Sequence, residues 1–311
     1  MRGSYSGNTL AFQANAESSI LLPRSTSIMK KSTIAIIALL MTASFAQASK
    51  PNQKRVEPVS IVYDVASNRV IHSVNSDRIV SIASMTKMVT VLTVLEADQN
   101  LGEFIPVRGK ETSSRISRGM LLTRYDLIEL AMVSSDNLAA RTLIEHYPGG
   151  YESGIQAMNR LVRRLGAENT TLVDPTGIMG ANTSTAEDLV KITQQTVDYA
   201  IFQRFANQTK SEVRAERVSR TKRAFLWIVG RTTNPFAHET NNFEIISFKT
   251  GLTSAAGWCL TMLVSHNNRQ YILVTAGNRS KQARRMQADQ LIRTITDQQY
   301  QIKIADSSPA L

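Results

Sequence analysis

From Met85 to Leu95 the apolar positions Met85, Met88, Val89, Val91, Leu92, Val94 and Leu95 circle most of a helix surface. That is the pattern of a helix packed inside a domain. The periodicity changes on both sides of it. "VSIVYDV" (59–65) and "VIHSV" (70–74), joined by "ASNR", read as a β-hairpin. Toward the C-terminus "NNFEIISFKTG" (241–251), "GWCLTMLVSH" (257–266) and "RQYILVTAG" (269–277) are successive strands, the last two joined through Asn267 and Asn268, and a helix over about 280–299 follows. In between the signals are helical. Thr123 and Asp126 form a capping box before "RYDLIELAMV", a second helix runs from "SSDN" to Tyr147, and a third spans about 152–165 and stops at Gly166. "DPTGIMG" (174–180) is a turn-rich loop, after which Thr185 and Asp188 cap the helix "AEDLVKITQQTV". Two strands early and three late predict an α/β (α+β) fold. One antiparallel sheet, built from about 57–83 and 220–300, carries flanking helices and an inserted all-helical subdomain over about 84–219.

One residue breaks the apolar pattern of the first helix. Lys87 lies on its opening turn, and an amine withdrawn from water must find partners or give up its proton. Ser84, three residues earlier, shares its face. A serine nucleophile needs a base, and lysine can serve when desolvation and a neighbouring cation keep its amine uncharged.

Composition narrows the setting. The 311 residues, 42% hydrophobic and 20% charged, suffice for a full core. From Met29, "MKKSTIAIIALLMTASFAQAS" carries Lys30 and Lys31, an apolar run over 34–45, and Ala46-Gln47-Ala48. It reads as a secretory signal peptide (29–48) cleaved after Ala48, which predicts export to the periplasm. Residues 1–28 form an unpatterned upstream extension, and 49–311 a single domain. Loss of residues 1–48 removes four basic residues and one acidic residue, lowering the net charge from +11 to +8. Such a charge favours anionic envelope polymers or, loosely, a membrane surface over nucleic acid, for which no motif is present. "VRAERVSRTKR" (213–223) reads as a solvated basic surface. Cys259, the only cysteine, has no disulfide partner, and its apolar neighbours predict a buried core residue. Four histidines form neither an H-E-x-x-H pattern nor a metal cluster, and no G-x-S-x-G elbow occurs. No metal or cofactor is expected.

Alone, S-x-x-K is a weak signal, and Ser27 with Lys30 matches it inside the leader. Ser84-x-x-Lys87 has two companions, however. Ser135-Asp136-Asn137 falls in the break between two helices, and Lys249-Thr250-Gly251 ends the apolar run "EIISF". Together these are the motif set of class A β-lactamases and penicillin-binding proteins. The stretch from about 59 to 277 resembles the low-molecular-mass penicillin-binding proteins, serine D,D-peptidases of the D-alanyl-D-alanine carboxypeptidase and endopeptidase type. "VYDVASNRVIHSVNSDRIVSIASMTKMVT", "VDPTGI", "STAEDL" and "FKTGLTSAAGWCL" look like family blocks.

The resemblance implies a five-stranded antiparallel sheet with an α-helical subdomain and the active site between them. It implies Ser84 as the acyl-accepting nucleophile and Lys87 as its base, with Ser135 relaying a proton to the leaving amine. Asn137 would hold the substrate amide. Lys249 would be the second cation, acting with Thr250 on the substrate's anionic groups, and Gly251 would let substrate approach the backbone. The N–H groups of Ser84 and Leu252 would form an oxyanion hole. Asp136 reads as an interhelical cap. No E-x-x-L-N segment follows the S-D-N motif, so β-lactams are expected as inhibitors rather than substrates. About 60 residues follow Gly251 and no anchor is evident, which makes the short soluble endopeptidases, acting on peptidoglycan stem peptides, the nearer likeness. Ser247-Phe248 replaces the Gly-Ile that usually precedes K-T-G in carboxypeptidases. A D-alanyl-D-alanine carboxypeptidase is the alternative activity, and a non-catalytic penicillin-binding scaffold or sensor the alternative of another class.

Overall fold

Alternation of inward apolar and outward polar residues sets the sheets, and capped amphipathic segments set the helices, in a computed structural model that describes residues 58–110, 113–218 and 222–297. The expected leader, the extension before it and the C-terminal tail lie outside the described residues. The chain opens with strands β1 (Val59–Asp64), β2 (Arg69–Val74) and β3 (Val80–Ser81), then a 3₁₀ turn (Ala83–Met85) running into helix α1 (Thr86–Glu96). Strands β4 (Phe104–Pro106) and β5 (Met120–Thr123) precede helices α2 (Arg124–Val133), α3 (Asn137–Glu145) and α4 (Gly150–Arg164). Next come β6 (Thr183–Ser184), α5 (Ala186–Gln194) and α6 (Ala200–Ala206), then the long hairpin β7 (Lys210–Val218) and β8 (Arg223–Arg231). Strands β9 (Glu244–Thr253), β10 (Gly257–His266) and β11 (Arg269–Asn278) and helix α7 (Lys281–Thr296) close the described fold.

The five-stranded sheet has the order β2-β1-β11-β10-β9, with β1, β9, β10 and β11 in antiparallel ladders. It joins both chain ends as the periodicity implied. Helix α1 lies in the larger apolar core, where Met88, Val91, Leu92 and Val94 are fully buried among residues of α2, α3, α4 and the sheet. The opposite face of the sheet is covered by α7, whose Ala288, Leu291, Ile292 and Ile295 pack on Met262, Val264, Tyr271 and Leu273. Thr123 and Asp126 form the expected capping box, and Thr185 caps α5 by accepting from the Asp188 N–H.

The inserted section is not all-helical. It contains a four-stranded sheet, β4-β5-β7-β8, and the short pair β3-β6. Of the stretch read as a solvated basic run, residues 213–218 belong to strand β7, with Val213 and Ala215 buried and Glu212 and Arg214 on the other face, and residues 219–221 lie outside the described residues. Charged residues on every outward position hide a period of two when the segment is read as a charge run. The five-stranded sheet therefore resumes at Glu244, not near 220. The helix expected over "AEDLVKITQQTV" ends at Gln194, a 3₁₀ turn over Gln195–Asp198 follows, and α6 is an addition the pattern did not mark.

Candidate active site

Three segments meet at the entrance of α1. The first is the 3₁₀ turn, where Ala83 has a left-handed φ of 46° and Ser84 precedes the α-helix proper. One turn on, Lys87 has no solvent exposure. Its Nζ stands 2.8 Å from Ser84 Oγ, 2.8 Å from Asn137 Oδ1 and 2.8 Å from the Thr176 carbonyl oxygen. The amide and carbonyl oxygens are obligate acceptors, whereas the Ser84 hydroxyl can either accept from an ammonium or donate to a free amine.

The second segment is the break between α2 and α3. Ser135 sits there at φ 58°, a conformation rare outside glycine. Asp136 is fully buried and acts structurally: Oδ1 accepts from the Ala139 N–H at 3.0 Å and from Ser114 Oγ at 2.7 Å, and Oδ2 from the Arg115 N–H at 2.7 Å. The cap reading made from sequence agrees with this geometry. It fixes Asn137, first residue of α3, against the Lys87 amine.

The third segment is β9. Lys249 is fully buried and donates to Ser135 Oγ at 2.9 Å and to the Thr250 carbonyl at 3.0 Å. Burial above all, then the Lys87 amine and the Arg284 guanidinium, push its pKa well below the ordinary lysine value. Gly251 lets the strand press on the 3₁₀ turn. A Cβ there would lie 3.0 Å from Ala83 Cβ, 3.0 Å from the Ile82 carbonyl oxygen and 3.1 Å from the Ser84 nitrogen. Thr250 is buried and Leu252 half exposed, so the strand's outer end borders solvent.

Sequence reasoning did not single out the group that fixes the floor. Asp174 Oδ1 accepts from Thr176 Oγ1 at 2.6 Å, the Thr176 N–H at 2.6 Å and the Gly177 N–H at 2.7 Å. Asn182 Nδ2 donates to Thr86 Oγ1 at 3.0 Å and to the Asp174 carbonyl at 2.8 Å. Gly177 has φ 80°, and a Cβ there would be 1.8 Å from the Ala83 carbonyl oxygen. The loop and the 3₁₀ turn thus form one rigid unit that aims the Thr176 carbonyl at Lys87. The local signal was the Asp-Pro-Thr-Gly turn, which the sequence marks as a loop and as part of the family-like block "VDPTGI" without assigning it a role at the site. Arg284, 3% exposed, is a third cation coupled to Lys249, with its guanidinium 5.5 Å from the Trp258 ring centre. Its place on the first turn of α7 gave no sign of that. Cys259 is buried in β10, as expected, and burial pushes its thiol up to about 11.

Among the described residues no cluster of histidine, cysteine and carboxylate side chains could hold a metal ion, and no helix is long and apolar enough to cross a membrane.

The sequence pattern of the D-alanyl-D-alanine carboxypeptidase family matches residues 45–280. The chain is 34% identical over 243 residues to the D-alanyl-D-alanine endopeptidase of Escherichia coli, covering 76% of each protein. It is 32% identical over 264 residues to that of Pseudomonas aeruginosa, covering 79% of this chain and 82% of the relative. A D-alanyl-D-alanine carboxypeptidase of Bacillus subtilis is 23% identical over 284 residues, with 84% and 69% covered. Among solved structures, the fold is similar to a Streptomyces DD-transpeptidase (TM-score 0.69, 22% identity, 79% of this chain and 98% of that one). It is also similar to a penicillin-binding protein of Listeria monocytogenes in its ampicillin-bound form (TM-score 0.65, 20% identity, 78% and 98%).

Proposed function

The chain belongs to the D-alanyl-D-alanine carboxypeptidase family, and from that premise we propose that it is a serine D,D-endopeptidase that hydrolyses D-alanyl cross-links between peptidoglycan stem peptides and is acylated by β-lactams. The observation that carries the reading is the buried Lys87 amine, 2.8 Å from the Ser84 hydroxyl and electrostatically coupled to a second buried amine. Placing two positive charges in one dry pocket is unfavourable, so the pair sheds a proton easily. With that proton gone from Lys87, the Asn137 and Thr176 oxygens take its two hydrogens. Its lone pair is then left for the Ser84 O–H.

Ser84 Oγ attacks the carbonyl carbon of the D-alanyl residue while Lys87 takes the hydroxyl proton. The developing oxyanion is received by the backbone N–H groups of Ser84 and Leu252, a reading supported by the close approach of β9 to the turn, where a Cβ on Gly251 would lie 3.1 Å from the Ser84 nitrogen. Collapse expels the amine of the neighbouring stem peptide, to which Ser135 passes a proton along its hydrogen bond with Lys249. Water then hydrolyses the ester by the reverse relay. Arg284 supplies positive potential for the substrate's anionic groups, Lys249 and Thr250 supply hydrogen-bond donors, and Asn137 the contact to its peptide amide. Two relatives named as endopeptidases are 34% and 32% identical over the aligned residues, against 23% for the carboxypeptidase of Bacillus subtilis, which favours cross-link hydrolysis over removal of a terminal D-alanine. Export to the periplasm through the leader at 29–48 belongs to the same reading, since the substrate lies there.

Labelling with a fluorescent penicillin, in the parent and in Ser84→Ala, tests the acyl-enzyme: the parent labels and the variant does not. Digestion of purified muropeptides tests the bond. Conversion of cross-linked dimers to monomers supports the endopeptidase, whereas release of D-alanine from pentapeptides with dimers untouched makes the chain a carboxypeptidase.

A further inference from the structure

The turn that carries Ser84 is bent in a way alanine disfavours. Ala83 occupies the left-handed region at φ 46°, where its Cβ crowds the next carbonyl oxygen. A non-glycine residue stays there only when its surroundings over-determine it. The hold is on its carbonyl oxygen, which accepts the Thr86 N–H and, at 2.8 Å, the Thr86 hydroxyl. That hydroxyl in turn accepts from Asn182 Nδ2 at 3.0 Å, across 96 residues of chain. A line of hydrogen bonds thus runs from a buried amide to the strained residue, and Ala83, Thr86 and Asn182 are all shut off from solvent.

Asn182 is fully engaged. Besides Thr86, its Nδ2 donates to the Asp174 carbonyl at 2.8 Å, and its Oδ1 accepts the Val173 and Asp174 N–H groups at 2.9 and 3.3 Å. These four bonds use both hydrogens and both lone pairs of the amide, which fixes its orientation. Its backbone carbonyl accepts the Ile82 N–H at 3.1 Å. Asn182 therefore grips the turn on both sides of Ala83, directly at Ile82 and through Thr86 at the Ala83 carbonyl. Ser84 is the next residue. Rotation of Ala83 toward an ordinary negative φ would swing the Ser84 N–H away from β9 and its hydroxyl away from the Lys87 amine, which stands 2.8 Å off.

We infer that Asn182 and Thr86 are positioning residues for acylation: they hold Ala83 in its left-handed conformation and so aim the Ser84 hydroxyl and N–H. This rests on the endopeptidase reading for the role of Ser84. Both residues are buried and act through Ala83, whereas the Lys87 amine has its own partners in Asn137 and the Thr176 carbonyl. Loss of the Thr86 hydroxyl therefore misplaces the nucleophile and leaves the base as it was.

The test is removal of the hold and relief of the strain. Thr86→Val and Asn182→Ala each lower the second-order rate constant for labelling by a fluorescent penicillin at least about tenfold, whereas Thr86→Ser, which keeps the hydroxyl, stays near the parent. On a purified cross-linked muropeptide dimer Thr86→Val lowers kcat with KM little changed, and the midpoint of its pH profile for labelling stays at the parental value. Adding Ala83→Gly to Thr86→Val recovers at least about threefold in labelling, because glycine enters the left-handed region without a Cβ penalty. Thermal unfolding on the same preparations identifies a variant that has not folded; if Asn182→Ala is one, the Thr86 series decides alone. Labelling of Thr86→Val at the parental rate, a rate in Thr86→Ser as low as in Thr86→Val, or no recovery with Ala83→Gly overturns the proposal. A shifted pH midpoint in Thr86→Val assigns the pair to Lys87 instead and also overturns it. The two readings fail separately. A parent that labels but only releases D-alanine refutes the endopeptidase and leaves the positioning to the labelling rates, and a parent that never labels refutes both.

Discussion

Replacing Gly251 by alanine puts a methyl group where the structure has almost no room. Its carbon would stand 3.0 Å from Ala83 Cβ, 3.0 Å from the Ile82 carbonyl oxygen and 3.1 Å from the Ser84 nitrogen. Comfortable carbon contacts begin near 3.5 Å, so the strand and the turn must part by about 0.4 Å. None of the three neighbours is the end of a flexible side chain. All belong to the 3₁₀ turn or to Ile82 that opens it, which Gly177 and Gly251 clasp from two sides. Overpacking of this kind costs about 1–3 kcal/mol. For a domain of this size that corresponds to a fall in Tm of roughly 2–12 °C. The loss of function should be larger than the loss of stability, because the atoms displaced carry Ser84, the proposed nucleophile, and its N–H. A shift of a few tenths of an ångström at the reacting centre lowers acylation by about 10–100-fold. Thermal unfolding and the second-order rate constant for labelling by a fluorescent penicillin, on the same preparation, read the two effects. A variant with lowered Tm that acylates within about twofold of the parent would refute the coupling of β9 to Ser84.

Lys249→Met removes a buried amine whose protonation the fold opposes. Its folded pKa lies well below the ordinary 10.5, so the unfolded chain binds more protons and parental stability rises with pH across the window between those values. The variant should lack that rise, melt a few degrees higher than the parent at pH 7 and fail to acylate; a lower Tm at pH 7 would contradict the argument. Asp136→Ala should cost about 1–3 kcal/mol, since it strands the donors of Ser114, Arg115 and Ala139, and guanidinium unfolding measures it. A change under about 0.5 kcal/mol would mean that this cap holds nothing. Cys259, with its thiol at about 11 and fully buried, should resist maleimide at pH 8 in the native protein and react once unfolded. Rapid native labelling followed by mass spectrometry would show a more open β10.

The sheet and the contact between Ser84 and Lys87 were legible because their signals are local. The alternation in "GWCLTMLVSH", the Thr123–Asp126 box and the three-residue spacing of Ser84 and Lys87 each fit within one element. The β7–β8 hairpin was hidden by composition, since charges at every outward position of β7 masked the burial of Val213 and Ala215. Thr176, Asn182 and Arg284 escaped notice for a different reason. Their work is done across 35 or more residues of chain, at Lys249 for Arg284 and, through hydrogen bonds, at Thr86 and Lys87 for the loop, and no window in the sequence holds both partners. Asp136 was assigned correctly because capping is a local act.

An uncharged Lys87 taking the proton of Ser84 is the central step proposed for this protein, and the pH dependence of penicillin acylation reads it most directly. The rate constant should climb with pH and level off well below about 10.4, the range of an ordinary lysine. Lys87→Ala should abolish it at every pH. A rate that keeps rising through the ordinary lysine range, or persists in Lys87→Ala, would contradict the account.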